Sequence, residues 1–282
     1  MTVVAAPAQR GLAIGLAERA ERALEWPGLG RRTPPPFTLV VAADSVMMAR
    51  LTRGRAPGWG AGVAFPRARA IFLRADLPRI DQTLRHEIGH LVLRDTVRGP
   101  LPLWFEEGYA SYGAGEFDRA DALALNLAVA AGRIPGLREL DGMLRGSATS
   151  ADLAYALAAS AVIEIARRPP PGGLAPLLGR LAAGDEFGAA LLASTGMSED
   201  RFEEAWQAGL KRRYNLLSWL VTGGMWAILA LSLGVLAWDR RRRDRPRRVA
   251  LDEGWRIPED SAGDGAPEAP GARPVDPGPP KQ

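Results

Sequence analysis

The segment His86-Glu87-Ile88-Gly89-His90 contains residue types that could do chemistry at this spacing. Two imidazoles one helical turn apart can both reach one divalent metal ion, at about 2.0 to 2.1 Å from each ring nitrogen. A carboxylate one residue after the first histidine lies beside the open position of such an ion, where it can act as a general base. The pattern therefore predicts a metal site held by His86 and His90, with Glu87 as the base.

The surrounding sequence, DQTLRHEIGHLVLRD, is typical of a helix that would present these three side chains together. At about 100° per residue, the two histidines are about 40° apart and the glutamate lies within the same arc. Leu84, Ile88 and Leu91 fall on the opposite side. Asp81 is predicted to be the N-cap of this helix. We expect one face of the helix to bind the metal and the other to pack.

A catalytic zinc site usually has three protein ligands and a water, but the chain has only two histidines and no cysteine. The third ligand is therefore expected to be acidic. Glu106 and Glu107 lie 16 and 17 residues after His90, in the segment WFEEGYA, which suits a short loop leading into a second helix. The spacing alone leaves both glutamates open as ligands, and a solvated acidic turn is the alternative for the pair.

HEIGH followed by WFEEGYA resembles the gluzincin metallopeptidases, notably the peptidase-MA-like group and, more distantly, the aminopeptidase N type. The resemblance covers residues 37–213 and implies one zinc ion per chain, with Glu107, just before glycine, as the third ligand. It leaves Glu106 for a solvated position or for orienting a ligand imidazole. It also implies a tyrosine that stabilises the oxyanion, and Tyr155 is the positional match. Packing of Tyr155 on a helix face is the alternative.

The chain departs from the aminopeptidases where these bind a substrate's free amino terminus through a glutamate in a Gly-rich motif. Residues 60–74, the corresponding stretch, hold no carboxylate. A strand in this stretch could instead pair with an extended peptide by edge addition. We therefore expect an endopeptidase that hydrolyses peptide or protein substrates through a metal-activated water.

The alternative is a catalytically silent zinc-binding scaffold for a protein partner at the membrane. Other divalent metals also suit two imidazoles and a carboxylate.

Composition excludes several other kinds of protein. Because the chain has no cysteine, disulfide frameworks, thiolate nucleophiles and cysteine metal sites are all ruled out. The net charge is only +4, and much of the basic excess lies in residues 240–248, so nucleic acid is not an expected partner. An intramembrane protease is also disfavoured, because Arg85, Arg94 and Asp95 flank the motif.

Residues 214–238 are an uncharged run, long enough to cross about 30 Å of hydrocarbon as one transmembrane helix. A buried core helix is the alternative. Seven arginines follow within the basic segment 239–249, which predicts a cytoplasmic C-terminus. We expect a single-pass protein of the cell membrane that contacts the lipid bilayer through residues 214–238, with its catalytic domain on the extracytoplasmic side.

Residues 1–9 resemble the end of a signal peptide, with a frayed terminus as the alternative. Residues 250–282 are rich in Pro, Gly and acidic residues and are predicted to be disordered.

Residues 10–213 are predicted to form one α+β domain of the zincin type, a small mixed α/β half followed by a helical half. The first half has helical apolar spacing at 10–24 and strand-like segments at 37–43 and 68–74. The second half is predicted to contain helices over these ranges: 102–114, 118–132, 150–167, 174–183, 186–195 and 198–213.

Overall fold

The structure is a computed structural model that describes residues 1–146, 148–169, 173–214 and 225–254. The chain divides into two compact units, Met1–Gly223 and Gly224–Gln282. The elements of the first unit follow in this order: β1 (Thr2–Ala5), α1 (Arg10–Ala20), β2 (Leu24–Trp26), β3 (Gly30–Arg32), β4 (Thr38–Ala42), α2 (Ser45–Thr52), β5 (Gly62–Phe65), β6 (Ala70–Arg74), α3 (Ile80–Thr96), α4 (Leu103–Ala114), α5 (Arg119–Ala130), α6 (Leu137–Leu144), α7 (Ala148–Ala166), α8 (Leu174–Ala183), α9 (Phe187–Thr195) and α10 (Glu199–Arg213).

A four-stranded sheet of order β1-β4-β6-β5 forms the first half of this unit. β1, β4 and β6 are parallel, whereas β5 runs antiparallel to β6 and pairs Gly62 with Leu73 and Phe65 with Ala70. The segment predicted as a strand at 68–74 is therefore an interior strand of the sheet. The sheet edge that packs beside α3 belongs to β5.

The sheet is covered on both faces, and the alternation of side chains along its strands decides which residue faces which layer. Leu39, Ile71 and Leu73 are fully buried in the main core, where α1 and α3 pack on the sheet. On the other face, Ala42 of β4 and Met48 of α2 belong to a smaller cluster. This packing fixes the position of α3 relative to β5.

Helix α4 lies between α3 and α7. Asp141 on α6 caps the start of α4, since its carboxylate accepts hydrogen bonds from the backbone N–H groups of Trp104 at 2.7 Å and Leu103 at 3.3 Å. Gly108 permits the close approach of α4 to α7, because a Cβ at this position would collide with the carbonyl group of Ala158. These contacts fix the direction in which the side chain of residue 107 points.

The predicted α+β class with a helical second half is confirmed. The predicted N-cap is wrong, because α3 begins directly after Arg79, whose φ is 61°. Asp81 lies in the first turn of α3, where it pairs with Arg19 at 2.7 Å. α1 ends at Ala20, earlier than predicted, because the chain then forms the β2–β3 hairpin. Within the segment 1–9, residues 2–5 form β1.

The second unit contains one described helix, α11 (Met225–Gly254). It includes residues 225–238 of the predicted membrane span, the basic segment 239–249 and the first residues of the predicted tail. Residues 215–224 of the span and 255–282 of the tail lie outside the described part of the chain. Among the described residues, no helix is both long enough and apolar enough to cross a membrane.

Candidate metal centre and its cleft

The three side chains of the sequence motif lie together on α3, at the boundary between the core and a cleft. His86 and Glu87 are buried, with 8 % and 6 % of their surfaces exposed. Ile88 and Leu91 on the opposite side are also buried and belong to the main core. The periodicity of the motif thus has the expected consequence, with one face of α3 packed and the other presenting polar groups.

His86, His90 and Glu107 bring one ligand atom each to a common point. His86 Nε2 and His90 Nε2 are 3.2 Å apart, and Glu107 Oε2 lies 3.4 Å from the first and 3.5 Å from the second. These three atoms form a nearly equilateral triangle. The first two come from successive turns of α3 and the third from α4, so the packing of two helices makes the cluster.

This triangle has the size expected for three ligand atoms of a tetrahedrally coordinated ion. Bonds of about 2.0 to 2.1 Å at tetrahedral angles put neighbouring ligand atoms about 3.3 Å apart. The distances between the three side chains are 3.2 to 3.5 Å, so they could hold one divalent metal ion. Two imidazoles and one carboxylate are a donor set that zinc accepts.

Glu116, just beyond the end of α4, orients His86. Its Oε2 lies 2.8 Å from His86 Nδ1. An ionised carboxylate can only accept, so the Nδ1–H group of His86 donates this hydrogen bond. In the neutral ring the lone pair is then on Nε2, which faces Glu107 and His90. Carboxylates commonly support metal-binding histidines in this way.

The charges around the triangle shift the pKa of each member. Burial lowers the pKa of His86, but Glu116 and Glu107 outweigh this effect and the pKa lies well above its usual value. Burial likewise lowers the pKa of His90, and Glu107 more than offsets it. Burial raises the pKa of Glu107, whereas the two imidazoles bring it far below its usual range. The carboxylates therefore stabilise positive charge between these three side chains, and either protons or a metal ion can supply that charge.

Glu87 lies beside the triangle and close to the edge strand β5. A Cβ at Gly62 on β5 would lie 2.7 Å from Glu87 Oε1 and 2.8 Å from Thr83 Cγ2. Only glycine leaves room for Glu87 at this position of the strand. Burial raises the pKa of the Glu87 carboxyl, and the positive imidazoles His86 and His90 oppose that rise.

Tyr155 approaches the same site from α7. Its ring packs edge-to-face on the ring of His86, with the centroids 6.1 Å apart. Burial raises the pKa of its hydroxyl far above the usual value, and the nearby carboxylates, Glu107 first among them, add to the rise. The phenol therefore stays protonated and can donate a hydrogen bond.

Glu106 points away from the triangle, although it neighbours Glu107 in the sequence. Both of its oxygens pair with the guanidinium group of Arg94, with 2.9 Å between Arg94 Nε and Glu106 Oε2. Arg94 also donates to the carbonyl oxygen of Gly99 at 2.7 Å. The spacing in the sequence allowed either glutamate to be the third ligand. In the structure, only Glu107 of the two reaches the histidines.

The predicted site residues line one cleft of about 350 Å³. His86, Glu87, His90, Glu107 and Tyr155 all contribute to its surface, as does β5 from Gly62 to Ala64. The cleft therefore has the polar cluster on one side and a free strand edge on the other.

Sequence reasoning did not identify Glu116 or Gly62 as parts of the site. Glu116 is 30 residues from His86, and no local pattern connects them. The useful signal is chemical: a histidine that binds a metal usually needs a carboxylate or carbonyl partner for its second nitrogen. Gly62 had no signal beyond its residue type.

Comparison with known proteins agrees with this geometry. The family profile of the peptidase MA superfamily matches residues 36–212, which include both the motif helix and the helical half. No curated protein matches the chain. The match extends over more than half of the sequence and covers all five predicted site residues. On this evidence the chain belongs to the peptidase MA superfamily.

Proposed function

We propose that this protein is a zinc-dependent endopeptidase anchored in the cell membrane. The observation that carries the proposal is the triangle of His86, His90 and Glu107 with a buried carboxylate, Glu87, beside it. A purely structural metal site is usually closed by four protein ligands. Here the three candidate ligands line a cleft, so a metal ion held by them would be accessible to a substrate or water.

His86, His90 and Glu107 would hold the metal. A bound zinc ion would supply a Lewis acid that polarises a carbonyl group and makes water more acidic. Glu116 keeps His86 in the tautomer whose Nε2 can bind, because its carboxylate accepts a hydrogen bond from the Nδ1–H group. The Asp141 cap at the start of α4 supports the position of Glu107.

Glu87 is the proposed general base. Burial raises the pKa of its carboxyl, which makes the carboxylate a better proton acceptor than an exposed glutamate. It would take a proton from the attacking water and then pass that proton to the nitrogen of the leaving amine. Gly62 leaves room for the Glu87 carboxylate beside β5, because a Cβ at this position would lie 2.7 Å from Glu87 Oε1.

Tyr155 is proposed to stabilise the oxygen that becomes negative in the transition state. Its hydroxyl remains protonated at neutral pH, since its pKa is raised far above the usual value by burial and by Glu107. A protonated phenol donates to the developing charge more strongly than to the ground-state carbonyl. The edge-to-face contact with His86 limits its movement.

The edge strand β5 supports endopeptidase rather than aminopeptidase activity. No strand in the described part of the chain pairs with its outer side, so an extended peptide could add there as a further strand. Residues 60–74 provide no carboxylate to bind a substrate's amino terminus. A peptide could therefore extend past the metal site in both directions.

The membrane anchor is proposed from the sequence of residues 214–238, which has no charged residue, and from the arginines that follow. Apolar side chains of α11 from Trp226 to Trp238 are exposed, as expected of a surface that meets lipid. The orientation is testable in spheroplasts, where added protease should digest residues 1–213. Protection of these residues in intact spheroplasts would contradict an extracytoplasmic domain.

The activity is tested with the full chain purified in detergent and casein as an unstructured substrate. We expect cleavage that a chelator abolishes and zinc restores. Glu87→Gln, which keeps the shape of the side chain, should retain zinc and lose cleavage by roughly 10²- to 10⁴-fold. Glu139→Gln, an exposed position on α6, is the matched control. Zinc binding without turnover would support the scaffold alternative, and normal turnover by Glu87→Gln would refute the proposed base.

A further inference from the structure

A second cavity, of about 1120 Å³, adjoins the metal-site cleft. The two share Ala64, Pro66 and Glu106 in their walls. The larger cavity extends from the end of β5 to the end of α3. It contains none of the three candidate metal ligands, so its chemistry is separate from the metal site.

Arginines dominate the charged side chains of this second cavity. Five of them line it: Arg55, Arg67, Arg69, Arg94 and Arg98. The acidic residues in its wall are Asp95 and Glu106, and each already has an arginine partner. Arg94 pairs with Glu106, and Arg69 pairs with Asp95 at 3.5 Å. Three arginines are therefore left without a carboxylate in the wall.

Those three come from separate parts of the chain and converge on one space. Arg55 follows α2, and its guanidinium group lies 5.4 Å from the centre of the Phe65 ring, while its Nε donates to the carbonyl oxygen of Thr52. Arg67 and Arg98 are exposed and make no hydrogen bond or ion pair within the described part of the chain. A set of cations without internal counter-charges favours an anionic ligand.

The edge strand β5 connects the arginines to the metal site. Gly62 is in contact with Glu87, whereas Phe65, three residues later, lines the arginine cavity. Three residues of extended chain span about 10 Å. A peptide paired with β5 beside the metal site would thus bring a side chain about three residues from the cleaved bond to the mouth of this cavity.

We infer that the arginine cavity binds acidic side chains of the peptide substrate, about three or more residues from the cleaved bond. This inference rests on the proposed peptidase function and defines its substrate class. Guanidinium groups bind carboxylates through paired hydrogen bonds, so aspartate and glutamate fit these arginines. The peptide backbone on β5 gives the geometry, and Arg55, Arg67 and Arg98 give the selectivity.

Cleavage of matched fluorogenic peptides by the full chain tests the inference. One peptide carries two glutamates starting three residues before the cleaved bond, a second carries them after it, and the third has glutamines at all these positions. We expect one of the acidic peptides to have a kcat/KM roughly 3- to 10-fold above the glutamine peptide, as two or three partly exposed ion pairs would give. The advantage should shrink with added salt.

Arginine variants then locate the effect. The double variant Arg67→Gln/Arg98→Gln should bring the ratio of acidic to neutral kcat/KM close to one. Arg138→Gln, which removes an exposed charge on α6, is the control and should leave the ratio as in the wild type. Equal cleavage of all three peptides, or an acidic preference that the double variant keeps, would overturn the inference while the peptidase function stands.

Binding measured without turnover separates this inference from the proposed function. Fluorescence anisotropy on the Glu87→Gln variant should show tighter binding of the preferred acidic peptide, and the added arginine substitutions should remove that preference. Such binding with a wild-type chain that cleaves none of the peptides would support the cavity and refute the peptidase. Equal binding of acidic and neutral peptides would overturn the cavity's role.

Discussion

The metal-site cleft and the adjoining arginine cavity differ in how their charges are held. In the metal-site cleft, His86 and Glu87 are buried, and His86 is fixed by Glu116 and faces Glu107. In the arginine cavity, Arg67 and Arg98 are exposed and make no described contact of this kind. Buried charges need their partners, whereas exposed ones interact weakly until a ligand excludes water. We therefore expect chemistry to depend on the cleft and substrate choice on the cavity.

The sharpest test of this contrast uses the two adjacent glutamates. Glu107→Ala removes a candidate ligand from the triangle and should lower metal affinity on the order of 10³-fold, with activity lost in parallel. Glu106→Ala removes a partner of Arg94 and should leave the metal bound. Metal content after dialysis measures both variants. The reverse result would make Glu106 the ligand and the geometry of α4 wrong.

Tyr155→Phe should have the next largest effect. Loss of the hydroxyl would remove the proposed hydrogen bond to the developing oxyanion, so kcat should fall roughly 10²-fold while metal content stays the same. Steady-state kinetics with casein or a peptide substrate measures this. An unchanged kcat would show that Tyr155 does not stabilise the oxyanion.

Glu116 should affect metal affinity without being a ligand. Glu116→Ala leaves the Nδ1–H group of His86 without its acceptor and should weaken metal binding by about 10- to 100-fold. Glu116→Gln keeps an acceptor oxygen and should lose less. Competition with a fluorescent chelator gives both affinities. Equal affinities in the wild type and Glu116→Ala would show that the contact does not orient the imidazole.

Metal affinity should also rise with pH. The carboxylates outweigh burial and raise the pKa of His86 and His90, so in the metal-free protein these imidazoles hold protons to a higher pH than usual. A metal must displace those protons, and its affinity should therefore fall about tenfold per pH unit and per proton released as pH decreases. Calorimetry in buffers of different ionisation enthalpy counts the protons. No proton release between pH 6 and 8 would contradict this charge balance.

The parts of the fold that sequence could predict are those with local patterns. The motif helix, α4 and the later helices have apolar periodicity, and β4 and β6 are apolar runs bounded by turn residues. β5 was missed as a separate strand because it is short, begins with glycine and has no alternating pattern. Its pairing with β6 is local, but its position at the sheet edge also depends on the pairing of β6 with β4, which joins residues as distant in the chain as Thr38 and Ala70.

The same distinction applies to the site. His86, Glu87 and His90 could be found because one helix places them together, and Glu107 because the EEG segment resembles a known family. Glu116 could not be found from the sequence, because its contact with His86 depends on how α4 ends beside α3. The arginine cavity could not be predicted either, because it forms only where three separate loops meet.

The most direct test of the central claim is anomalous diffraction at the zinc edge from crystals of the zinc-loaded full chain. We expect one peak per chain, at about 2.0 to 2.2 Å from His86 Nε2, His90 Nε2 and a carboxylate oxygen of Glu107. A peak coordinated by Glu106, a peak elsewhere in the chain, or no bound zinc would contradict it.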